Sequence, residues 1–168
     1  MRKILVTTAA AAIATIAGGA QAATTTTTFQ VSATVLKACS VSAAALAFGS
    51  YTPGSGAISG STTISVNCTK STGYTVALNA GSTSGGAVSQ RLMLNGTANT
   101  LQYNLYTTTA YSTIFGDGTG TSVTQSGTGS GMNTPNSLTV YGQLPDSTTN
   151  QGAVPGSYTD TITVTVTY

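Results

Sequence analysis

Histidine, glutamate and tryptophan are missing from the 168 residues, and charged side chains make up only 5% of the chain. An ordinary globular domain is about 25% charged. General acid and base work needs titratable groups set close to one another, and three scattered aspartates offer no such set. The many serines and threonines have no imidazole or evident lysine base to activate them. No catalytic, metal-ligating or cofactor-binding residues are therefore expected. Nucleic acid is an equally poor partner: of the five basic residues, Arg2 and Lys3 sit at the extreme N-terminus, and Lys37, Lys70 and Arg91 are balanced by Asp117, Asp146 and Asp160. No polybasic face remains to attract phosphate.

The N-terminus has a basic start at Arg2 and Lys3, an apolar run from Ile4 to Ala17 and the small-residue pattern Ala20-Gln21-Ala22. That order reads as a secretory signal peptide, residues 1–22, cleaved after Ala22. The apolar run is shorter than the roughly 20 residues a helix needs to span a bilayer. Export favours a disulfide between the chain's two cysteines, Cys39 and Cys68, over a metal site or a nucleophile. It would close a loop of about 30 residues, worth on the order of 3 to 4 kcal/mol if unstrained. Two unrelated buried thiols are the alternative.

Beyond Ala22 the chain is rich in Thr, Ser, Gly and Ala, and apolar residues often alternate with Thr or Ser. Period-two alternation marks strands, and β-branched threonine suits the pleated surface. Strands are expected at Ile64–Cys68, Tyr74–Leu78, Leu101–Leu105, Leu138–Gly142 and Ile162–Tyr168, with turns at Pro53-Gly54, Gly85-Gly86, Asn95-Gly96, Pro145-Asp146 and Pro155-Gly156. No stretch holds a helical period, so an antiparallel β-sandwich with negligible helix is expected. Gly116 to Thr134 reads as one long exposed loop. Arg91, just ahead of the Asn95-Gly96 turn, reads as a hydrogen-bond anchor to a carboxylate or to loop carbonyls rather than as a partner contact.

The two ends of this region stand out. Phe29, Val31, Ala33 and Val35 share one face of an amphipathic strand ahead of the first cysteine, and Ile162, Val164, Val166 and Tyr168 share one face of another at the end of the sequence. The spare first strand can fold back into its own domain or enter a neighbour.

Several fragments carry a resemblance: Cys39 with Phe48-Gly49-Ser50-Tyr51, Ile64-Ser65-Val66-Asn67-Cys68, Gly73-Tyr74-Thr75-Val76-Ala77-Leu78, Arg91-Leu92-Met93, Leu101-Gln102-Tyr103-Asn104-Leu105-Tyr106, Phe115-Gly116-Asp117-Gly118, Tyr141-Gly142-Gln143-Leu144-Pro145 and Pro155-Gly156-Ser157-Tyr158. In order and spacing they resemble the spore coat protein U family, which includes the pilin subunits of archaic, Csu-type chaperone-usher pili. Phe115 stands where that family often has tryptophan. The resemblance implies an all-β fold, an incomplete immunoglobulin-like antiparallel β-sandwich completed by donor-strand exchange. It implies residues 23–38 as donor segment and residues 39–168 as the pilin domain. It further implies a homopolymer with other copies, a periplasmic chaperone, an outer-membrane usher, other pilin subunits including a tip adhesin, and a place in a cell-surface pilus serving attachment and biofilm formation. On this reading Phe29, Val31, Ala33 and Val35 are the donor residues, and Ile162, Val164, Val166 and Tyr168 line or border the groove that chaperone and neighbour occupy.

Two rival readings come from the same residues. A self-complemented secreted or spore-coat protein would keep its first strand for itself. A surface- or carbohydrate-binding tip module would use tyrosines such as Tyr106 and Tyr111 beside the long loop, although a tip subunit is expected to need an additional receptor domain.

Overall fold

The computed structural model of the chain describes Gly19, residues 21–96 and residues 98–168. The expected signal peptide lies almost wholly outside these residues. The chain divides into two units, Met1–Thr34 and Val35–Tyr168. In the first unit the described residues form no helix and no strand, and Phe29 and Val31 are 86% and 82% exposed.

Among its described residues the second unit has eight strands: β1 (Cys39–Ala43), β2 (Ile58–Cys68), β3 (Gly73–Leu78), β4 (Arg91–Asn95), β5 (Asn99–Tyr106), β6 (Gln125–Thr128), β7 (Asn136–Leu144) and β8 (Val164–Thr167). A single helical turn, α1 (Thr148–Gln151), follows β7, capped by the Ser147 side chain. The strands form two antiparallel sheets, one ordered β1-β2-β7-β5-β4 and one ordered β6-β3-β8. Alternation decides which side chains go inside. Ile64, Val66 and Cys68 of β2, Tyr74, Val76 and Leu78 of β3, Leu101, Tyr103 and Leu105 of β5, and Val140 and Leu144 of β7 are buried between the sheets with Phe115. Serines and threonines between them face out, which is the half-buried pattern an antiparallel sheet favours.

Cys39 and Cys68 face each other in the β1–β2 register and are joined by a disulfide. At the opposite end of β2, Gly60 pairs with Gly142 of β7. A Cβ at Gly60 would lie 2.9 Å from the Ala47 carbonyl oxygen, and one at Gly142 would lie 2.8 Å from Leu46 Cδ1 and 2.9 Å from Phe48 Cζ. The two glycines thus make room for the segment after β1 to cross the sheet.

The stretch Gly116 to Thr134 is not one exposed loop, because it contains β6, which pairs with β3 from Gly73↔Thr128 to Val76↔Gln125. β6 is short and lacks apolar alternation, so nothing in its own residues announces it. The partner edge of β3 draws it in, and a side chain at Gly127 would collide with the Tyr74 ring that crosses it. The strand expected ahead of Cys39 is likewise not formed: Thr24–Val35 carries the alternation but no ladder.

Candidate functional site

Each of the two sheets ends on a strand with one neighbour: β1 is held by β2 alone, and β8 by β3 alone. The chain continuing from β1, Ala43–Phe48, and the chain leading into β8, Tyr158–Val164, flank a cavity of about 490 Å³. Its floor is the core itself, since Ile64, Leu78, Tyr103, Leu105 and Val140 all line it. A second cavity of about 660 Å³ shares Leu46, Phe48, Met93 and Tyr158 with the first and continues past Leu101 and Leu144 to Ala153–Ser157. Protein interiors are normally filled to crystal-like density, so an apolar trough reaching into the core leaves those core side chains without packing partners on one side. The adjoining strand edges offer unpaired main-chain groups, the feature that native proteins usually cover.

Polar clamps hold the walls. Asp160, just ahead of β8, accepts through Oδ1 from the backbone N–H groups of Ser82 (2.8 Å) and Thr83 (3.1 Å) and from both their hydroxyls, and through Oδ2 from the Tyr103 hydroxyl (2.6 Å). Burial alone would raise the Asp160 pKa, but these hydrogen bonds outweigh it and hold the carboxyl below its ordinary range. The Tyr103 phenol is pushed up, first by burial and then by its bond to the carboxylate. Gly81 sits at φ +96° against Asp160, where any side chain would strike the carboxylate.

At the far end of the trough Asp146 accepts from the Tyr51 hydroxyl (2.5 Å) and from the backbone N–H groups of Gly54 (3.0 Å) and Gly56 (2.9 Å). These bonds, Tyr51's first, lower its pKa. Burial, then the Asp146 contact, raises Tyr51 to about 12.

Arg91 is fully buried and donates to the carbonyls of Asn79 (2.9 Å) and Phe115 (3.0 Å) and to Asn104 Oδ1 (2.6 Å). Burial lowers its pKa, while Tyr103, Asp160 and Asp117 act the other way. The anchor is made of carbonyls and an amide. All these titratable groups are engaged in holding loops to strands. Among the described residues there is no group of three or more His, Cys, Asp or Glu able to hold a metal.

Of the residues expected from the sequence to border a groove, Ile162 and Val164 line the first cavity. Val166 is half-buried against the core, and Tyr168 is 55% exposed. Of the expected donor residues, Phe29, Val31 and Ala33 are exposed in the first unit, and Val35, 86% exposed, begins the second. Sequence reasoning did not assign Leu46, Phe48, Met93 and Tyr158 to the trough. The segment Ala43–Phe48 carries no alternation, and only the aromatic pair Phe48 and Tyr51 around Gly49 signals it. Phe48 stacks edge-on against Tyr103, with ring centroids 5.9 Å apart.

Two facing antiparallel sheets with a trough between their unpartnered edges define an open immunoglobulin-like β-sandwich module. The Spore Coat Protein U domain matches residues 25–165, and the chain belongs to that family. A similar solved structure is the CsuC-CsuE chaperone-tip adhesion subunit pre-assembly complex from the archaic chaperone-usher Csu pili of Acinetobacter baumannii. The match has a TM-score of 0.51 and 24% identity, and covers 80% of this chain but only 40% of the other. No curated protein matches the chain.

Proposed function

We propose that the protein is a structural subunit of a chaperone-usher pilus, and that it polymerises by lending its N-terminal segment to the trough of a neighbouring copy. The observation that carries the reading is the apolar trough between the β1 and β8 edges, floored by core residues, in a chain that also holds an exposed face of alternating apolar residues. Phe29, Val31, Ala33 and Val35 would fill the trough while their main chain extends the sheet by strand addition. Ile162 and Val164 would border the inserted strand, with Val166 and Tyr168 continuing its edge. Head-to-tail insertion does not close on itself, so the product is a filament. Before assembly a periplasmic chaperone would cover the trough, and an outer-membrane usher would exchange it for the next subunit. The filament would then stand on the cell surface, joined to further pilin subunits and a tip adhesin, and would serve attachment and biofilm formation. Membership in the family and the fold shared with a Csu pilus complex support this.

The test is an exported chain in which residues 1–22 are kept and residues 23–38 are removed, so that it starts at Cys39 after cleavage. It should still accept a donor strand but never enter a neighbour, so cells producing it should show no filaments by electron microscopy. Normal filaments from that truncated chain would refute the donor assignment.

A further inference from the structure

From residue 23 onward the chain holds six charged side chains, and the fold sorts them by end. Lys37 and Lys70 flank the place where Ala38 and Thr69 bond to each other, next to the Cys39–Cys68 pair, and both are exposed. The three aspartates are at the opposite end. Asp146 lies just beyond Leu144, which pairs with Ile58 at the start of β2. Asp160 lies ahead of Val164, which pairs with Leu78 at the end of β3. Asp117 follows Gly116, whose carbonyl accepts from the Leu78 N–H. Arg91 is also at this end, donating to the Asn79 and Phe115 carbonyls. Counting side chains alone, the cysteine end therefore carries +2, and the aspartate end carries −3 + 1 = −2. β2 runs from one end to the other, and its eleven residues set them roughly 34 Å apart at about 3.4 Å per residue.

β8 runs from the aspartate end towards the cysteine end. A donor segment antiparallel to β8 would finish with Val35 at the aspartate end of the receiving copy. Lys37 follows two residues later, and Lys70 of the incoming copy comes with it. A parallel insertion would instead bring the two lysine-bearing ends together. We propose that this axial charge polarity docks the cysteine end of one copy onto the aspartate end of the next and fixes the direction in which the donor segment enters. The inference rests on the donor reading above. The partner is a second copy of this chain, and the charges matter because so few others are present to mask them.

The experiment follows SDS-resistant multimers formed by the purified, exported chain at about 20 mM and about 500 mM NaCl, since salt shortens the reach of exposed charges from tens of ångströms to a few. The native chain should assemble about tenfold faster at low salt. The K37E/K70E double variant should assemble slowly at low salt and speed up as salt rises. A second variant, K37Q/K70Q with S61K/T139K, keeps the net charge but moves it to exposed positions within β2 and β7, and should lose the low-salt acceleration. If both variants assemble at the native rate with the native salt dependence, the charge polarity plays no part and the inference falls, while the donor reading stands. If the native chain forms no multimers at either salt, or V31D forms them as readily as the native chain, the donor reading falls and takes this inference with it.

Discussion

A chain carrying Val31→Asp separates the two halves of the proposed exchange, because it should lose the ability to donate a strand and keep the ability to receive one. Val31 is 82% exposed, and its neighbours on the same face, Phe29 and Val35, are 86% exposed, so nearly all their apolar surface is available for burial. Each is worth about 1.5 to 3 kcal/mol when taken out of water. Replacing Val31 by Asp removes about 2 kcal/mol of that gain and places a carboxylate in a trough floored by Ile64, Leu105 and Val140, at a cost of several kcal/mol more. Taken together this is at least about 4 kcal/mol, which corresponds to at least about a thousandfold in affinity. The assay is thermal unfolding of the Val31→Asp chain with a synthetic peptide spanning Thr25 to Lys37. At peptide concentrations about a hundredfold above Kd the acceptor should gain about 2.7 kcal/mol, which raises Tm by roughly 5 to 10 °C for a domain of this size. A peptide carrying Val31→Asp should give no shift. A peptide with Phe29 and Gln30 exchanged and Val31 and Ser32 exchanged should also fail, because moving the Phe and Val side chains to the other face presents Gln and Ser to the core. Equal stabilisation by all three peptides would refute the alternating face as the determinant, and no shift with the native peptide would refute the trough as acceptor.

Arg91→Leu should destabilise the second unit by about 3 kcal/mol or more, because it strips the donor from buried carbonyls of Asn79 and Phe115 and from Asn104 Oδ1; urea unfolding with an unchanged midpoint would show that the anchor is dispensable. Asp160 has a folded pKa below its ordinary value of 3.8, so its contribution to stability is complete above that value and is lost as pH falls through the folded pKa. Asp160→Asn should therefore flatten the loss of Tm in that acidic window relative to the native chain, and an identical acid profile in the two would show that the Ser82, Thr83 and Tyr103 contacts do not depend on its charge.

Local pattern made much of the fold legible. Ile64–Cys68, Tyr74–Leu78, Leu101–Leu105 and Leu138–Gly142 alternate cleanly, and each lies within a strand whose inward set is the one the alternation marks. What stayed hidden depends on partners distant in sequence. β6 exists because β3 has an edge for it, and its Gln-Ser-Gly-Thr sequence has no apolar face to read. The Leu46–Phe48 wall of the trough exists because Gly60 and Gly142, which pair across β2 and β7, leave a hollow there. Each glycine alone looks like a weak point in a strand. Their pairing is a matter of register, and register is set over more than eighty residues of intervening chain. The aspartates look scattered in sequence for the same reason: the segments after β7, ahead of β8 and after Phe115 bring Asp146, Asp160 and Asp117 to one end.

The two terminal segments show most directly what sequence pattern can and cannot decide. Thr24–Val35 and Thr161–Tyr168 carry the same period-two alternation of apolar residues with Thr or Ser. One finds β3, pairs from Leu78↔Val164 to Thr75↔Thr167 and becomes a strand. The other forms no ladder, and its apolar face remains exposed. Propensity cannot separate them, because it describes how a side chain fits a pleated surface once a partner is present. The difference is therefore one of available edges. β3 already has β6 on one side and β8 on the other, while β8 and β1 each keep an edge beside the trough. On the proposed exchange, a segment with strand-forming alternation and no strand partner would satisfy both deficits at once when supplied by a second copy, since the sheets leave two edges unfilled around an apolar hollow.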